Sequence, residues 1–286
     1  MFFSSPSYSI YPPSRINEVV LDVGQWLLFS GIIGFTSLPF YFRFLLNILF
    51  LGNPIHHPEY YFEPYPLSLI AIMIIICALI VKIVAIFNAR KLTAVVKSDH
   101  LNVGVTLITV GSSLMLIIFF FIVLVGFIAL CLQMKEILFS LDTVWSSYIS
   151  LFYIIVVISI ITDFVGRFLI GILFWRMGVI EDSIILIIGA AIFIVSSEIG
   201  MGLLAMGLLT LSLRGRNVLS NDKLLETIRE ELSKDLRLRE KAYVKHYSRQ
   251  YRVPLYLLVS IIRFWISIGE IEGVLVRDVL LKSVES

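Results

Sequence analysis

The chain has 286 residues, of which 58% are hydrophobic and only 15% charged, with a formal net charge of +2 and a mean hydropathy of +0.94. Ordinary soluble domains carry about 25% charged residues, so composition excludes a soluble globular chain. The two cysteines, Cys77 and Cys131, both sit inside apolar segments; they exclude a disulfide framework or a thiolate metal cluster and read as small buried packing residues.

Residues 1–22 form an amino-terminal tail without the basic start, short apolar core and small-residue cleavage site of a secretory signal, so the first span is expected to be retained as an anchor. A transmembrane domain then covers residues 23–213. It holds five apolar stretches, at Val23–Leu51, Leu67–Phe87, Val103–Gln133, Ser147–Trp175 and Ser183–Leu213, each longer than the roughly 20 residues that cross a bilayer core. Trp26, Trp145, Tyr148 and Trp175 mark segment ends, as rings at the headgroup level do. Pro39 is expected to kink the first segment unless a neighbour satisfies the carbonyl it frees.

The first loop, GNPIHHPEYYFEPYP, contains His56, His57, Glu59 and Glu63, residue types that bind transition metals, but the spacing matches no established ligand pattern. No metal and no cofactor is expected. Nucleotide-binding glycine loops, HExxH, GxSxG and paired CxxC are all missing from the sequence, so enzyme classes recognisable by a local motif are unsupported.

The fifth segment is interrupted midway by Ser196, Ser197, Glu198, Gly200 and Gly202. Each half holds roughly 14 residues, too short for an ordinary crossing and suited to a re-entrant hairpin or two short helices. Lys and Arg near span ends support that arrangement. Five full crossings place five basic residues on each side, whereas a returning fifth segment with the amino terminus inside places nine inside and one outside, the asymmetry expected of cytoplasmic segments. Both termini are therefore expected in the cytoplasm.

Unpaired charge is expensive within a membrane, so Asp163 and Arg167 in the fourth segment and Glu198 in the fifth are the candidate functional residues. Asp163 and Arg167 share a helix face in the favourable order for an ion pair. Glu198 could complete a triad with Arg167 or hold a proton. Such a set would serve a proton- or cation-coupled transporter or channel component, or act as an interhelical clamp. Arg43 and Lys82 lie nearer span ends and are expected to snorkel to the headgroups.

From Arg214 onward 14 Lys/Arg face 10 Asp/Glu, a basic tail over residues 214–286. Asn221 and Asp222 open a polar helix expected to run through Tyr251, with Leu225, Ile228, Leu232 and Leu236 on one apolar face that wants a partner. Pro254 begins a helix that stops at Gly269, and β-branched runs flanking Arg277 and Asp278 suggest a small hairpin.

The string RVPLYLLVSIIRFWISIGEIEGVL resembles the end of winged-helix domains, particularly the protein-interaction versions in which an apolar helix leads through Gly-Glu-Ile-Glu-Gly into the wing. Winged helices place two helices between the first strand and the wing, whereas Pro254–Ile268 has room for one. The embedded half, with its glycine-rich segment after WRMGVIEDS, resembles uncharacterised archaeal multi-pass membrane proteins. The winged-helix resemblance implies a small α/β module with DNA readout by a recognition helix, but that helix position is nearly all apolar, and docking to protein or membrane fits it better.

The expected fold is an all-α polytopic membrane protein of four to six transmembrane helices carrying a small α/β winged-helix-like module. The leading function is a non-enzymatic, membrane-anchored platform for protein interaction or assembly. Its expected partners are the lipid bilayer and, through the module, a protein or a second copy of the chain. A membrane-tethered DNA-binding regulator is the third alternative, with nucleic acid the least favoured partner.

Overall fold

The computed structural model describes residues 12–50, 65–94, 98–131, 142–276 and 278–282. Side chains are described outside 41–50, 65–69, 93–94, 122–123, 125–131 and 142–153. His56, His57, Glu59 and Glu63 lie outside the described residues, as do the side chains of Arg43, Cys131 and Trp145.

Four long helices come first: α1 (Pro13–Phe50), α2 (Tyr65–Ala89), α3 (Asp99–Cys131) and α4 (Asp142–Ile180), with a 3-10 turn at Arg90–Ala94. The fifth segment breaks at Ser196 into α5 (Ile184–Val195) and α6 (Ser197–Leu219). Five helices are long and apolar enough to cross a membrane, namely α1 to α4 and α6. Their apolar windows are only 22–50% buried, and Phe29, Ile32, Ile117, Phe120 and Ile154 all point outward. An apolar surface this continuous is far larger than soluble monomers expose. The chain is a mostly helical, multi-pass membrane protein. Cys77 belongs to that outer surface, a correction to its expected burial: it lies on the outward face of α2, opposite Ile75 and Leu79.

α1 continues through Pro39 as one helix. The hydroxyls of Thr36 and Ser37 donate to the carbonyls of Ile33 and Gly34; the carbonyl that Pro39 frees is that of Phe35, one turn before it.

Lipid gives apolar helices no hydrophobic reason to associate, so close backbone approach decides which helices pack. α1 and α6 run antiparallel, with Gly24 against Leu208 and Leu209, Gly31 against Gly202 and Gly34 against Glu198. α5 and α6 form a tight antiparallel hairpin in which Leu186 meets Gly207, Gly189 meets Leu203 and Leu204, and Phe193 meets Gly200. The halves are unequal rather than matched: α5 is about 18 Å long and α6 about 34 Å. Ser196 alone makes the bend in an extended conformation. Its N–H donates to Ile192 and its carbonyl accepts from Gly200, so the break orphans little backbone.

Several contacts gather at one end of the bundle. Asn17 at the start of α1 donates to the Ser212 carbonyl late in α6, and Lys91 after α2 pairs with Asp22. The turn between α4 and α5 meets the carboxyl-terminal module there as well. The start of α1, the α2–α3 and α4–α5 connections and the module therefore share one end.

The module contains α7 (Asp222–Arg239), β1 (Lys241–Tyr243), α8 (Val244–Gln250), α9 (Leu255–Ser267), β2 (Val274–Val276) and β3 (Val279–Leu281). The polar helix does not reach Tyr251. It stops at Arg239, where Glu240 turns left-handed at φ +61°, because Lys241–Tyr243 pairs with Val279–Leu281. Two helices, not one, consequently separate β1 from the β2–β3 hairpin. The strands order β1-β3-β2, all antiparallel, and Val276 faces Val279 across residues 277–278. Gly269, at φ +77°, ends α9 in the conformation that favours glycine.

The apolar face of α7 finds its partner within the chain. Ile228, Leu232 and Leu236 are buried in one core that also includes Tyr247, Leu258 and Leu280 of the module and Val20, Leu208 and Leu211 of the bundle, with Leu225 packed against it. That face is therefore closed to an outside partner.

Candidate functional site

α3 and α4 approach almost backbone to backbone. A Cβ on Gly111 would sit 2.8 Å from the Ser159 carbonyl, and one on Gly166 would sit 2.8 Å from the Gly104 carbonyl. The Ser159 hydroxyl donates to the Gly111 carbonyl. This contact carries Ser112 on α3 to 3.5 Å from Asp163 Oδ1 on α4.

Asp163 is the hub of a buried charge cluster. Lys82 on α2 donates from Nζ to Asp163 Oδ1 at 2.8 Å. Arg167 Nε lies 2.9 Å from Oδ2, a close charge contact without an aligned hydrogen bond. The three side chains are only 10–15% exposed. Arg167 Nη1 also donates to the Val195 carbonyl at 3.4 Å, and its guanidinium lies 5.8 Å from the centre of the Phe164 ring. The cluster thus joins α2, α3 and α4 to the end of α5, where the hairpin bend leaves a carbonyl in need of a donor.

Lys82 corrects the snorkelling expectation. Its side chain is only 10% exposed, and its charge is met inside the bundle by the carboxylate of Asp163. Glu198, in contrast, stays apart from Asp163 and Arg167. The Ser197 hydroxyl donates to it, and its side chain packs over Gly34 of α1, where an added Cβ would come within 2.7 Å of Cγ. The bend between Val195 and Ser197 points the end of α5 at α4 and the start of α6 at α1, so the two sides of the hairpin serve different helices.

Two cations around one carboxylate leave this cluster with a net positive charge. A further cation would be repelled there, strongly in a poorly screened interior. The arrangement instead neutralises Asp163 and ties four helices together.

A second polar site, which the sequence did not single out, lies where the module meets the bundle. α9 starts at Pro254, whose side chain offers no cap, so its first N–H groups need an outside acceptor. Glu181, in the α4–α5 turn, supplies one: Leu255 and Tyr256 donate their N–H groups to Oε2 and Oε1 at 2.7 and 2.9 Å. A carboxylate at a helix start also complements the helix dipole. Burial pushes the Glu181 carboxyl up from 4.5 to about 7, with the two N–H bonds opposing that rise. Beside it the Tyr256 hydroxyl donates to Asn17 Oδ1 at 2.8 Å, and Arg249 on α8 reaches both oxygens of Asp182 at 3.0 and 3.3 Å. The Asp182–Arg249 pair is more than half exposed on both sides, and exposed pairs contribute about 1 kcal/mol at most. Eight consecutive residues of α9, Leu255 to Ile262, are buried, with Leu257 reaching Gly215 of α6.

No known protein family, characterised protein or solved structure matches this chain.

Proposed function

We propose that the chain is a membrane-anchored platform that presents its carboxyl-terminal module, at the cytoplasmic face, to a protein partner or a second copy of itself. The observation that carries this reading is the open outer face of the three-stranded sheet. Strand register places Lys241, Leu281 and Val274 in one row and Tyr243, Val279 and Val276 in the next. Tyr243, Val274, Val276 and Leu281 are exposed, whereas Ala242 and Leu280, on the opposite side, are buried. An apolar sheet face held rigidly beside a bilayer suits a protein contact.

The order helix, strand, two helices, hairpin, with the first strand pairing with the last, supports a winged-helix-like module. The helix that reads DNA in such folds corresponds to α9, and its burial against the bundle weighs against nucleic acid. The cytoplasmic assignment rests on the basic residues that flank the module's end of the bundle, Arg15, Arg90, Lys91, Arg176, Arg214 and Arg216, following the positive-inside tendency.

The test uses the full chain, crosslinked in native membranes and purified in detergent. A defined partner or a dimer should accompany the wild type and be lost from a Val274→Lys, Val276→Lys variant that still folds. A partner retained by the variant, or a wild type that is monomeric and alone, contradicts the proposal.

A further inference from the structure

We infer that Glu181 is a proton-sensitive latch that sets how firmly the module docks on the membrane bundle. The carboxyl is rigidly presented. The Glu181 N–H donates to the Met177 carbonyl at 2.9 Å and the Ser183 N–H to the Gly178 carbonyl at 2.8 Å, with the backbone of Asp182 left-handed between them at φ +50°. Both of its oxygens are taken by consecutive N–H groups of an element more than 70 residues further along the chain. These bonds exist only while α9 is seated.

The charged and titratable groups around the latch leave its charge uncompensated. Asp182, its neighbour, has the same sign and is neutralised by Arg249 of α8. Tyr256 of α9 contributes a phenol whose ionisation burial drives far upward, and it is engaged with Asn17 of α1. No cation pairs with Glu181 among the described residues. Its negative charge therefore rests on two N–H groups and the helix dipole alone.

The sign of the pH dependence follows. With the module undocked, Glu181 faces water and loses its proton near the ordinary 4.5; docked, it keeps the proton up to about 7. Between those values the docked state binds more protons, so docking weakens as pH rises through the window and then levels off. The span between the two titrations caps the change at about 300-fold in the docking equilibrium. Acidification on the module's side of the membrane tightens docking.

Hydrogen exchange of the full chain in lipid nanodiscs, corrected for intrinsic rates, reads this at residues 255–262. Protection there should fall by about a hundredfold between pH 5 and pH 8, remain flat in Glu181→Gln, and remain pH-dependent in Glu181→Asp, which keeps an acid at the site. A wild type whose protection does not change over this range overturns the inference. So does pH dependence that survives in Glu181→Gln, which would assign it to another group such as His246.

Discussion

Replacing Asp163 by asparagine is expected to destabilise the bundle by about 3–5 kcal/mol, the usual cost of removing one partner from a buried ion pair. The variant leaves Lys82 and Arg167 facing each other, with the shared carboxylate no longer between them. Reversible unfolding in mixed micelles measures the loss. Adding Lys82→Met to the same background should recover part of it, because the second uncompensated charge then disappears. A loss below about 1 kcal/mol for Asp163→Asn would mean that water or lipid headgroups already screen the cluster, and that the four helices are held by packing alone.

An equally large effect is expected at Gly200. A Cβ there would fall within the space of the Phe193 backbone, and neither helix of the α5–α6 hairpin can move aside while α1 and α4 flank it. Gly200→Ala should therefore cost about 3 kcal/mol or more, as severe overpacking does. Gly202, two residues on, provides the control, since a Cβ there meets nothing within 4 Å. Gly202→Ala should be neutral or slightly stabilising through better helix propensity. Equal tolerance of both substitutions, read by the same unfolding assay, would contradict the tight hairpin.

What could be read from the sequence depended on the range of the interaction. The spans were legible because a run of about 20 apolar residues has one common use. The break in the fifth segment was legible in the polar Ser-Ser-Glu at its centre, although not the greater length of α6, which continues past Leu213 to Leu219. The ion pair of Asp163 and Arg167 is local, four residues apart. Lys82 joins them from 81 residues away, a separation that no local spacing reveals.

The carboxyl-terminal module was harder for the same reason. Lys241, Lys245 and Arg249 continue a helical period beyond Arg239, and nothing local announces that β1 pairs with a strand some 40 residues later. The interface face assigned to Leu225, Ile228, Leu232 and Leu236 was correctly apolar but is covered from within. Glu181 was invisible as a site because a lone acid in a short turn is ordinarily solvated. Only the uncapped start of α9, folded back onto it, gives that residue a role.

The arrangement as a whole depends on an even number of crossings, with α5 and α6 entering and leaving at one face. Single cysteines introduced at Pro12 and Leu238, in a background with Cys77 and Cys131 replaced, can be labelled with a membrane-impermeant maleimide in intact cells and in inverted vesicles. Both positions should react only in inverted vesicles, placing the start of α1 and the module together in the cytoplasm. Labelling of the two positions from opposite sides would mean that the fifth segment crosses once, and would contradict the hairpin, the shared end and the docked module together.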